Sequence, residues 1–250
     1  MAKLNILIPM AGGGKSFEFA GFSFPKPIID VHGKTMIEVV TGNLRPKDDY
    51  RFVFVCFRDH YEKYDLYNIF KNATGGLFDV VCIGGPTCGQ ACSALAALQY
   101  INNDDELLIV NSDQFVDVSI DDFLRRARQA DADGLIMTFK ATHPKWSFVR
   151  TDGTDRVVET AEKKVISDNA TAGIYYFKRG KDFVQSAEAM IHKDIRYNEQ
   201  FYICPCYNEL ILQNKHIYKY DVPVDKMHGM GTPEDLNAFL VWSQENKIKL

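Results

Sequence analysis

The chain has 250 residues, of which 29 are Lys or Arg and 33 are Asp or Glu, so its formal net charge is −4. This balance excludes a protein that binds nucleic acid by neutralising many phosphates. No apolar run reaches the roughly 20 residues that a membrane-spanning helix needs. No charged leader precedes the first apolar run. We therefore expect a cytoplasmic protein with no nucleic-acid partner and no membrane partner.

The first half of the chain alternates between strand-like and helix-like segments. Short apolar runs rich in β-formers predict strands at 4–8, 51–57, 78–83 and 107–110. Helices are predicted to follow them at a Thr35–Glu38 capping box, at 60–71, at 90–100, and after Ser119 with Asp122 at N3. Repeated strand–helix units with short turns are typical of a doubly wound α/β fold.

The pattern changes after residue 133. Strands are predicted at 135–140, 147–151 and 157–160, with an Asp152–Gly153 turn between the last two. We interpret this region as a smaller β lobe that binds substrate. A final helix should begin with Thr232 as N-cap, followed by Pro233 at N1 and Asp235 at N3.

A glycine loop follows the first predicted strand. Gly12, Gly13 and Gly14 lack a Cβ, so their backbone amides can approach an anion such as a triphosphate. Downstream, Pro25 and Pro27 flank Lys26, and the fixed φ angles of the two prolines hold this cation in a defined place. Lys26 is therefore a candidate phosphate-binding residue.

Two familiar nucleotide motifs do not explain this loop. Residues 14–16 (GKS) copy the end of the P-loop pattern G-x-x-x-x-G-K-S/T, but the first glycine of that pattern would fall at Pro9. Proline has no amide hydrogen to offer a phosphate. The dinucleotide pattern G-x-G-x-x-G does not occur in the chain. A P-loop kinase and a dinucleotide-binding fold are both disfavoured.

Two later loops have the composition of ligand sites. A glycine-containing turn places Thr87, Gly89 and Gln90 at the start of a helix, where they could bind an anion or a base, although a plain βα turn has the same composition. Asp113 follows the predicted strand 107–110. Ligands in open α/β sheets bind at the carboxyl ends of strands, so Asp113 is a candidate site residue.

The order of these motifs resembles a known family. Residues 10–14 (MAGGG) and Phe17 fit A/P-x-A-G-x-G-x-R-F/L, and residues 25–38 (PKPIIDVHGKTMIE) fit the P-K segment that follows it. The later matches, in chain order, are 146–149 (WSFV), 162–164 (EKK), 168–177 (DNATAGIYYF) and 231–236 (GTPEDL). The chain therefore resembles the sugar nucleotidyltransferase (NTP-transferase) family, and its loops at 84–95 and 111–114 resemble members from surface or capsular polysaccharide gene clusters.

The resemblance implies a Rossmann-like α/β fold, with a mixed, mainly parallel sheet flanked by helices and a small substrate-binding β lobe. It implies one domain, in which 1–133 bind nucleotide, 134–222 bind the acceptor, and 223–250 form a metal-site segment and the last helix. The implied reaction transfers a nucleoside monophosphate from a nucleoside triphosphate, with CTP slightly favoured, to a phosphorylated small molecule. A catalytically silent nucleotide-binding relative and a glycosyltransferase stay open, as does a homo-oligomer.

The resemblance also implies roles for individual residues. Catalytic roles fall on Lys15, Lys26, Asp113 and Lys163. Nucleotide contacts fall on Met10, Ala11, Gly12, Gly13, Gly14, Lys15, Thr87, Gly89, Gln90 and Ser112. Acceptor contacts fall on Ser147, Glu162, Lys163, Thr171 and Glu199, while Gly173 lets backbones pack closely. Mg²⁺ is the implied cofactor, with Asp113 and Asp225 as its ligands.

The chain departs from the family pattern at four positions. Ser16 stands where the family has a phosphate-binding arginine, and Lys15 is the nearest replacement. In the acceptor region, Ser147 replaces a glycine and Lys164 replaces a proline.

The fourth departure is at the second metal position, where Gly229 replaces an aspartate. Asp225 and His228 are the nearest substitutes. Asp225 is preferred because Mg²⁺ favours oxygen ligands over imidazole.

Overall fold

The computed structural model describes residues 3–12 and 14–248. The strands are β1 Leu4–Pro9, β2 Asp30–Val31, β3 Lys34–Thr35, β4 Tyr50–Phe57, β5 Phe78–Ile83, β6 Glu106–Val110, β7 Gln114–Val116, β8 Gly134–Lys140, β9 Phe148–Thr151, β10 Val157–Ala161, β11 Asn169–Phe177, β12 Ile217–Asp221 and β13 Met227–Gly229. The helices are α1 Lys15–Phe19, α2 Met36–Asn43, α3 Arg58–Lys63, α4 Leu66–Thr74, α5 Gln90–Leu95, α6 Leu98–Ile101, α7 Ile120–Gln129, α8 Gly180–His192, α9 Cys206–Leu212 and α10 Pro233–Glu245. Short 3₁₀ turns cover Lys26–Ile28 and Val224–Lys226.

Nine strands form one mixed sheet. Its order is β10-β9-β11-β6-β1-β4-β5, and β8 pairs with both β11 and β12. The strands β6, β1, β4 and β5 run parallel, whereas β11 is antiparallel to β6, β8 and β9. This arrangement confirms the predicted α/β fold with a mixed sheet, and it makes β11 the strand that joins the parallel part to the β-rich part.

The central strand β1 is buried along its whole length. Its side chains alternate between two hydrophobic clusters, with Leu4, Ile6 and Ile8 on one face of the sheet and Leu7 on the other. This alternation is the two-residue period of a strand covered by helices on both faces. The core therefore fixes the position of the loops that leave the carboxyl ends of β1 and β6.

Two of the predicted helix starts are confirmed in atomic detail. The Thr35 hydroxyl accepts from the Glu38 backbone N–H at 3.4 Å, and the Glu38 carboxylate accepts from the Thr35 N–H at 2.7 Å. The Thr232 hydroxyl accepts from the Asp235 N–H at 3.1 Å, with Pro233 at N1. Side-chain oxygens thus satisfy amide groups that have no partner within their helices.

Two predicted helices are interrupted. The segment 60–71 divides into α3 and α4 because Asp65 has φ 50°, outside the right-handed helical region. The segment 90–100 divides into α5 and α6 at a turn before Leu98. The helical spacing of apolar residues does not reveal such breaks, because the helices before and after a break bury apolar residues at the same spacing.

The predicted cap at α7 is also different from expectation. Ser119 occupies the N-cap position with an extended backbone, but its side chain makes no capping hydrogen bond. The Asp122 carboxylate instead accepts from Arg125 at 2.7 Å.

Across the described parts of the chain, none of the helices has the length and apolar character that crossing a membrane requires.

Candidate active site

A cavity of about 600 Å³ lies beside the carboxyl ends of β1 and β6. One wall comes from the loops after β1 and β6 and from the start of α5, and the opposite wall comes from residues near β9, β10 and β11. Parallel strands end at the same edge of a sheet, which is where α/β proteins bind ligands. Both the predicted nucleotide half and the predicted acceptor half of the chain contribute to this one cavity.

Most of the predicted site residues line the cavity. They are Met10, Ala11, Gly12, Lys26, Thr87, Gly89, Gln90, Ser112, Asp113, Ser147, Glu162, Lys163 and Thr171. Gly14, Lys15, Glu199 and Asp225 are not part of its lining. Gly13 falls outside the described residues.

Lys26 and Asp113 form an ion pair inside the cavity. The Lys26 ammonium lies 2.7 Å from Asp113 Oδ2, and each side chain is less than one quarter exposed. The Asp113 backbone carbonyl accepts from Met230 N–H at 2.7 Å. A Cβ added to Gly231 would lie 3.0 Å from Asp113 Oδ2, so a glycine lets the last segment pack against this carboxylate.

Hydrogen bonds fix the loop before α5 and join it to the loop after β6. The Thr87 hydroxyl donates to the Gly89 carbonyl at 2.9 Å, and the Gln90 amide donates to Asn111 Oδ1 at 2.6 Å. Asn111 in turn lies against Gly173, where an added Cβ would come within 2.4 Å of its amide nitrogen. Gly173 therefore permits the close packing that the sequence predicts for it, and it adopts φ 74°.

Glu162 lies on the wall of the cavity that comes from the predicted acceptor half. Its carboxylate accepts a short hydrogen bond from the Ser147 hydroxyl. Burial raises the pKa of Glu162, while the Ser147 hydrogen bond and the charge of Lys163 oppose that rise. Ser147 therefore places a hydrogen-bond donor against the carboxylate, which a glycine at this position could not do.

Lys163 is held by aromatic side chains. Its ammonium lies 3.3 Å from the Tyr202 hydroxyl, 5.0 Å from the centre of that ring and 5.7 Å from the centre of the Tyr197 ring. Such contacts stabilise a cation without neutralising it. Lys163 is left available to an anionic ligand in the cavity.

Three predicted assignments need correction on their position. Lys15 is the exposed first residue of α1, and Ser16 instead contacts the Gly231 carbonyl at 3.4 Å. Glu199 is exposed and pairs with Arg196 at 3.1 Å. Asp225 is exposed in the Val224–Lys226 turn. Each side chain is directed by a local turn or helix start, and none of the three lines the cavity.

Sequence reasoning missed an ion pair at the cavity between Lys145 and Asp235. The Lys145 ammonium lies 3.0 Å from Asp235 Oδ1 and 4.7 Å from the centre of the Trp146 ring. A Cβ added to Gly229 would lie 3.8 Å from Asp235 Oδ2. Asp235 thus brings a carboxylate next to the position where the family pattern has its second aspartate. Its place as helix residue N3 was readable from sequence, but its distance from Gly229 was not.

Gln114 is a further lining residue that the sequence did not single out. It is 4% exposed, and its Oε1 has no hydrogen-bond partner. Its amide donates to the Asn111 carbonyl at 3.0 Å. Oε1 faces Gly173, where an added Cβ would lie 3.1 Å from it.

The donor set of the cavity is compatible with Mg²⁺. Among the described residues, no three His, Cys, Asp or Glu side chains converge as a ready-made metal site. Mg²⁺ keeps several waters and is usually bound through one or two carboxylates together with substrate phosphates. Asp113 and Asp235 provide two carboxylates in the same cavity, on either side of the segment 229–231.

The fold and the position of this cavity are those of an α/β enzyme with its site at the carboxyl ends of parallel strands. The sequence pattern described as nucleotidyl transferase matches residues 10–221, which is most of the chain. The chain belongs to the nucleotidyl transferase family. No curated protein sequence matches it significantly.

Solved structures with the same fold cover nearly the whole chain. A nucleoside-diphosphate-sugar pyrophosphorylase from Vibrio cholerae is 25% identical, with a TM-score of 0.80 over 94% of this chain and 99% of that one. An inositol-1-phosphate CTP transferase from T. maritima is 17% identical, with a TM-score of 0.76 over 99% and 96%. A UDP-glucose pyrophosphorylase from Acinetobacter baumannii is 16% identical, with a TM-score of 0.76 over 100% and 96%. The last two likenesses concern the fold alone.

Proposed function

We propose that this nucleotidyltransferase transfers a nucleoside monophosphate, with CTP as the slightly favoured donor, to a small phosphorylated acceptor and releases pyrophosphate. The observation that carries the proposal is that Lys26 and Asp113 from one half and Lys163 and Glu162 from the other line a single cavity. One half has the groups suited to a triphosphate, and the other has a cation and a hydrogen-bonding carboxylate suited to a phosphorylated, hydroxylated acceptor. The chain therefore divides functionally into residues 1–133, 134–222 and 223–250 within one domain.

In the proposed reaction, an acceptor phosphate oxygen attacks the α-phosphorus of the nucleoside triphosphate. The new P–O bond forms as the bond to pyrophosphate breaks, and pyrophosphate leaves with that electron pair. The attacking oxygen is already anionic near neutral pH, so no general base is required. The chain's task is to bring two anions into line, which it does with the backbone of the glycine loop and the ammonium groups of Lys26 and Lys163.

Mg²⁺ is the cofactor of this proposal. Asp113 and Asp235 are the residues that would hold it, and it would supply charge neutralisation at the phosphates. Asp235 takes the place that sequence reasoning gave to Asp225. Its presence beside Gly229 weakens the alternative of a catalytically silent relative, which rested in part on the loss of that aspartate. The alternative of a glycosyltransferase is disfavoured because residues 113–115 lack paired carboxylates.

The acceptor is proposed to be a sugar phosphate, a polyol phosphate or a similar compound. Lys163 would bind its phosphate, and Glu162 offers an acceptor for its hydroxyl groups. A hydrogen-bonding carboxylate in a cavity rejects ligands that leave it unpaired. We propose that the product is an activated precursor of surface polysaccharide made in the cytoplasm, and the resemblance of loops 84–95 and 111–114 to polysaccharide-cluster relatives supports this proposal.

Thermal unfolding with CTP, UTP, GTP, dTTP and ATP, each with and without Mg²⁺, tests the donor assignment. A ligand that binds the native state raises the unfolding temperature. We expect stabilisation by one nucleotide, CTP first, that depends on Mg²⁺ and is lost in Asp113→Ala. Asp131→Ala is a matched control, because Asp131 is an exposed partner of Lys178.

Pyrophosphate release is then measured with that nucleotide and a panel of phosphorylated acceptors. Release with at least one sugar or polyol phosphate is the expected result. Stabilisation by no nucleotide would contradict the donor assignment. Nucleotide binding without release for any acceptor would favour the silent relative.

A further inference from the structure

The cavity carries equal numbers of cationic and anionic side chains. Among its described lining residues, the basic side chains are Lys26, Lys145 and Lys163, and the acidic side chains are Asp113, Glu162 and Asp235. A nucleoside triphosphate brings about four negative charges near neutral pH. Because like charges repel strongly in a partly dehydrated site, a cavity with no net positive charge attracts such a ligand poorly. The net charge of the cavity must therefore become more positive when the nucleotide binds.

Two of the three lysines are already engaged by carboxylates. Lys26 lies 2.7 Å from Asp113 Oδ2, and Lys145 lies 3.0 and 3.3 Å from the two Asp235 oxygens. Lys163 has aromatic and hydroxyl neighbours instead. The resting cavity thus holds two lysine–aspartate pairs, whereas the Lys163 ammonium contacts the Tyr202 hydroxyl and lies near the rings of Tyr202 and Tyr197.

Both pairs flank one short segment of backbone. Asp113 Oδ2 would lie 3.0 Å from a Cβ on Gly231, and Asp235 Oδ2 would lie 3.8 Å from a Cβ on Gly229. Ser16, which follows the glycine loop, also contacts this segment, because its hydroxyl donates to the Gly231 carbonyl. The Lys145 ammonium therefore stands next to the region proposed for the triphosphate, whereas Lys15 lies outside the cavity.

We propose that Lys145 binds the triphosphate, but only after a divalent cation has bound Asp235 and released Lys145 from its ion pair. We call this the reserve role of Lys145. The chain therefore binds nucleotide tightly only together with a divalent cation. This rests on the proposed function and adds to it a residue that supplies the cation missing at Ser16. A carboxylate that binds a divalent cation no longer retains its lysine. The released ammonium can then pair with a phosphate oxygen of the nucleotide. Every charge keeps a partner through this exchange, which avoids leaving an unpaired ion in the site.

Calorimetric titration of the full chain with CTP, in Mg²⁺ and in excess chelator, tests the exchange without measuring turnover. Lys145→Met keeps the aliphatic packing on Trp146 and should weaken CTP binding in Mg²⁺ at least tenfold. Lys145→Arg, which keeps the charge, should restore most of that loss. Asp235→Asn should strengthen CTP binding in chelator at least fivefold, because it frees Lys145. That gain should vanish when Asp235→Asn is combined with Lys145→Met.

The control is Asp131→Asn, which breaks an exposed lysine pair of similar geometry away from the cavity. It should change CTP affinity in neither buffer. If the wild type binds CTP in Mg²⁺ but Lys145→Met and Asp235→Asn behave like this control, the reserve role of Lys145 is wrong while the proposed function stands. If neither CTP nor any of the other four nucleotides binds the wild type in Mg²⁺, the proposed function fails and the role of Lys145 fails with it.

Discussion

Gly89 is the position where a single methyl group should separate the two walls of the cavity. Its backbone has φ 120° and ψ 177°, a conformation that is essentially restricted to glycine. A Cβ here would lie 2.4 Å from the Phe201 carbonyl oxygen and 2.6 Å from its nitrogen. Two backbone hydrogen bonds hold this contact together, from Phe201 N–H to the Cys88 carbonyl at 2.8 Å and from Ala91 N–H to the Phe201 carbonyl at 3.0 Å.

The cost of Gly89→Ala follows from these contacts. Holding alanine in this conformation costs on the order of 1–3 kcal/mol, and the forced backbone contact costs a further ~1–3 kcal/mol. We expect a loss of about 3 kcal/mol in the free energy of unfolding, since part of the strain is relieved as the segments move apart. For a chain of this size that corresponds to a fall in Tm of roughly 6–12 °C.

The same movement should affect binding. Gln200 and Tyr202 flank Phe201 and line the cavity, and Tyr202 contacts Lys163. Gly89→Ala should therefore weaken both nucleotide and acceptor binding at least tenfold.

Chemical denaturation, thermal unfolding and calorimetric titration measure these effects, with Gly85→Ala as the control. Gly85 lies in the same loop, has no positive φ and has no atom within 4 Å of its added Cβ. A Gly89→Ala protein as stable as Gly85→Ala, with unchanged nucleotide affinity, would refute the contact and the coupling inferred from it.

Three further predictions concern charged groups. Asp113→Ala should abolish pyrophosphate release, measured by a coupled phosphate assay, and unchanged turnover would remove its metal-binding role. Lys163→Ala should raise the acceptor KM or lower kcat/KM in steady-state kinetics by at least tenfold, and a loss confined to nucleotide affinity would contradict its acceptor role. Because burial raises the pKa of Glu162 above its ordinary 4.5, its contribution to stability is present below that value and is lost as pH rises through the folded pKa. Glu162→Gln should therefore be more stable than the wild type in denaturant titrations at about pH 7 and no more stable at about pH 4, and a constant difference would show that ionisation of Glu162 is not responsible.

The features that sequence alone predicted correctly depend on neighbouring residues. The Thr35–Glu38 and Thr232–Asp235 caps each lie within one turn of helix, so residue spacing can indicate them, although the same spacing at Ser119 and Asp122 forms no side-chain cap. The strands were predicted for a similar reason, because an apolar run of the right length is buried wherever the sheet places it.

The features that sequence missed depend on contacts between distant parts of the chain. Lys145 and Asp235 are 90 residues apart and meet only because α10 starts beside the cavity. Asp225 was preferred because it is near Gly229 in the chain, yet the 3₁₀ turn of Val224–Lys226 leaves it exposed. Distance along the chain was thus a poor guide to distance in the site.

The antiparallel hairpin of β9 and β10 brings part of the proposed acceptor site to the cavity. Its registered strand pairing with β11 is the pair Ala170 and Phe148, and Thr160 joins it to Asn208 of α9 and to the Cys204 carbonyl. Ser147 and Glu162 lie side by side at the open end of this hairpin, next to the paired residues Phe148 and Ala161. Under the proposed function, substitutions at the ends of β9 and β10 would change the contacts with the acceptor while the loops after β1 and β6 keep those with the nucleotide. The two parts of the site could therefore vary independently of one another.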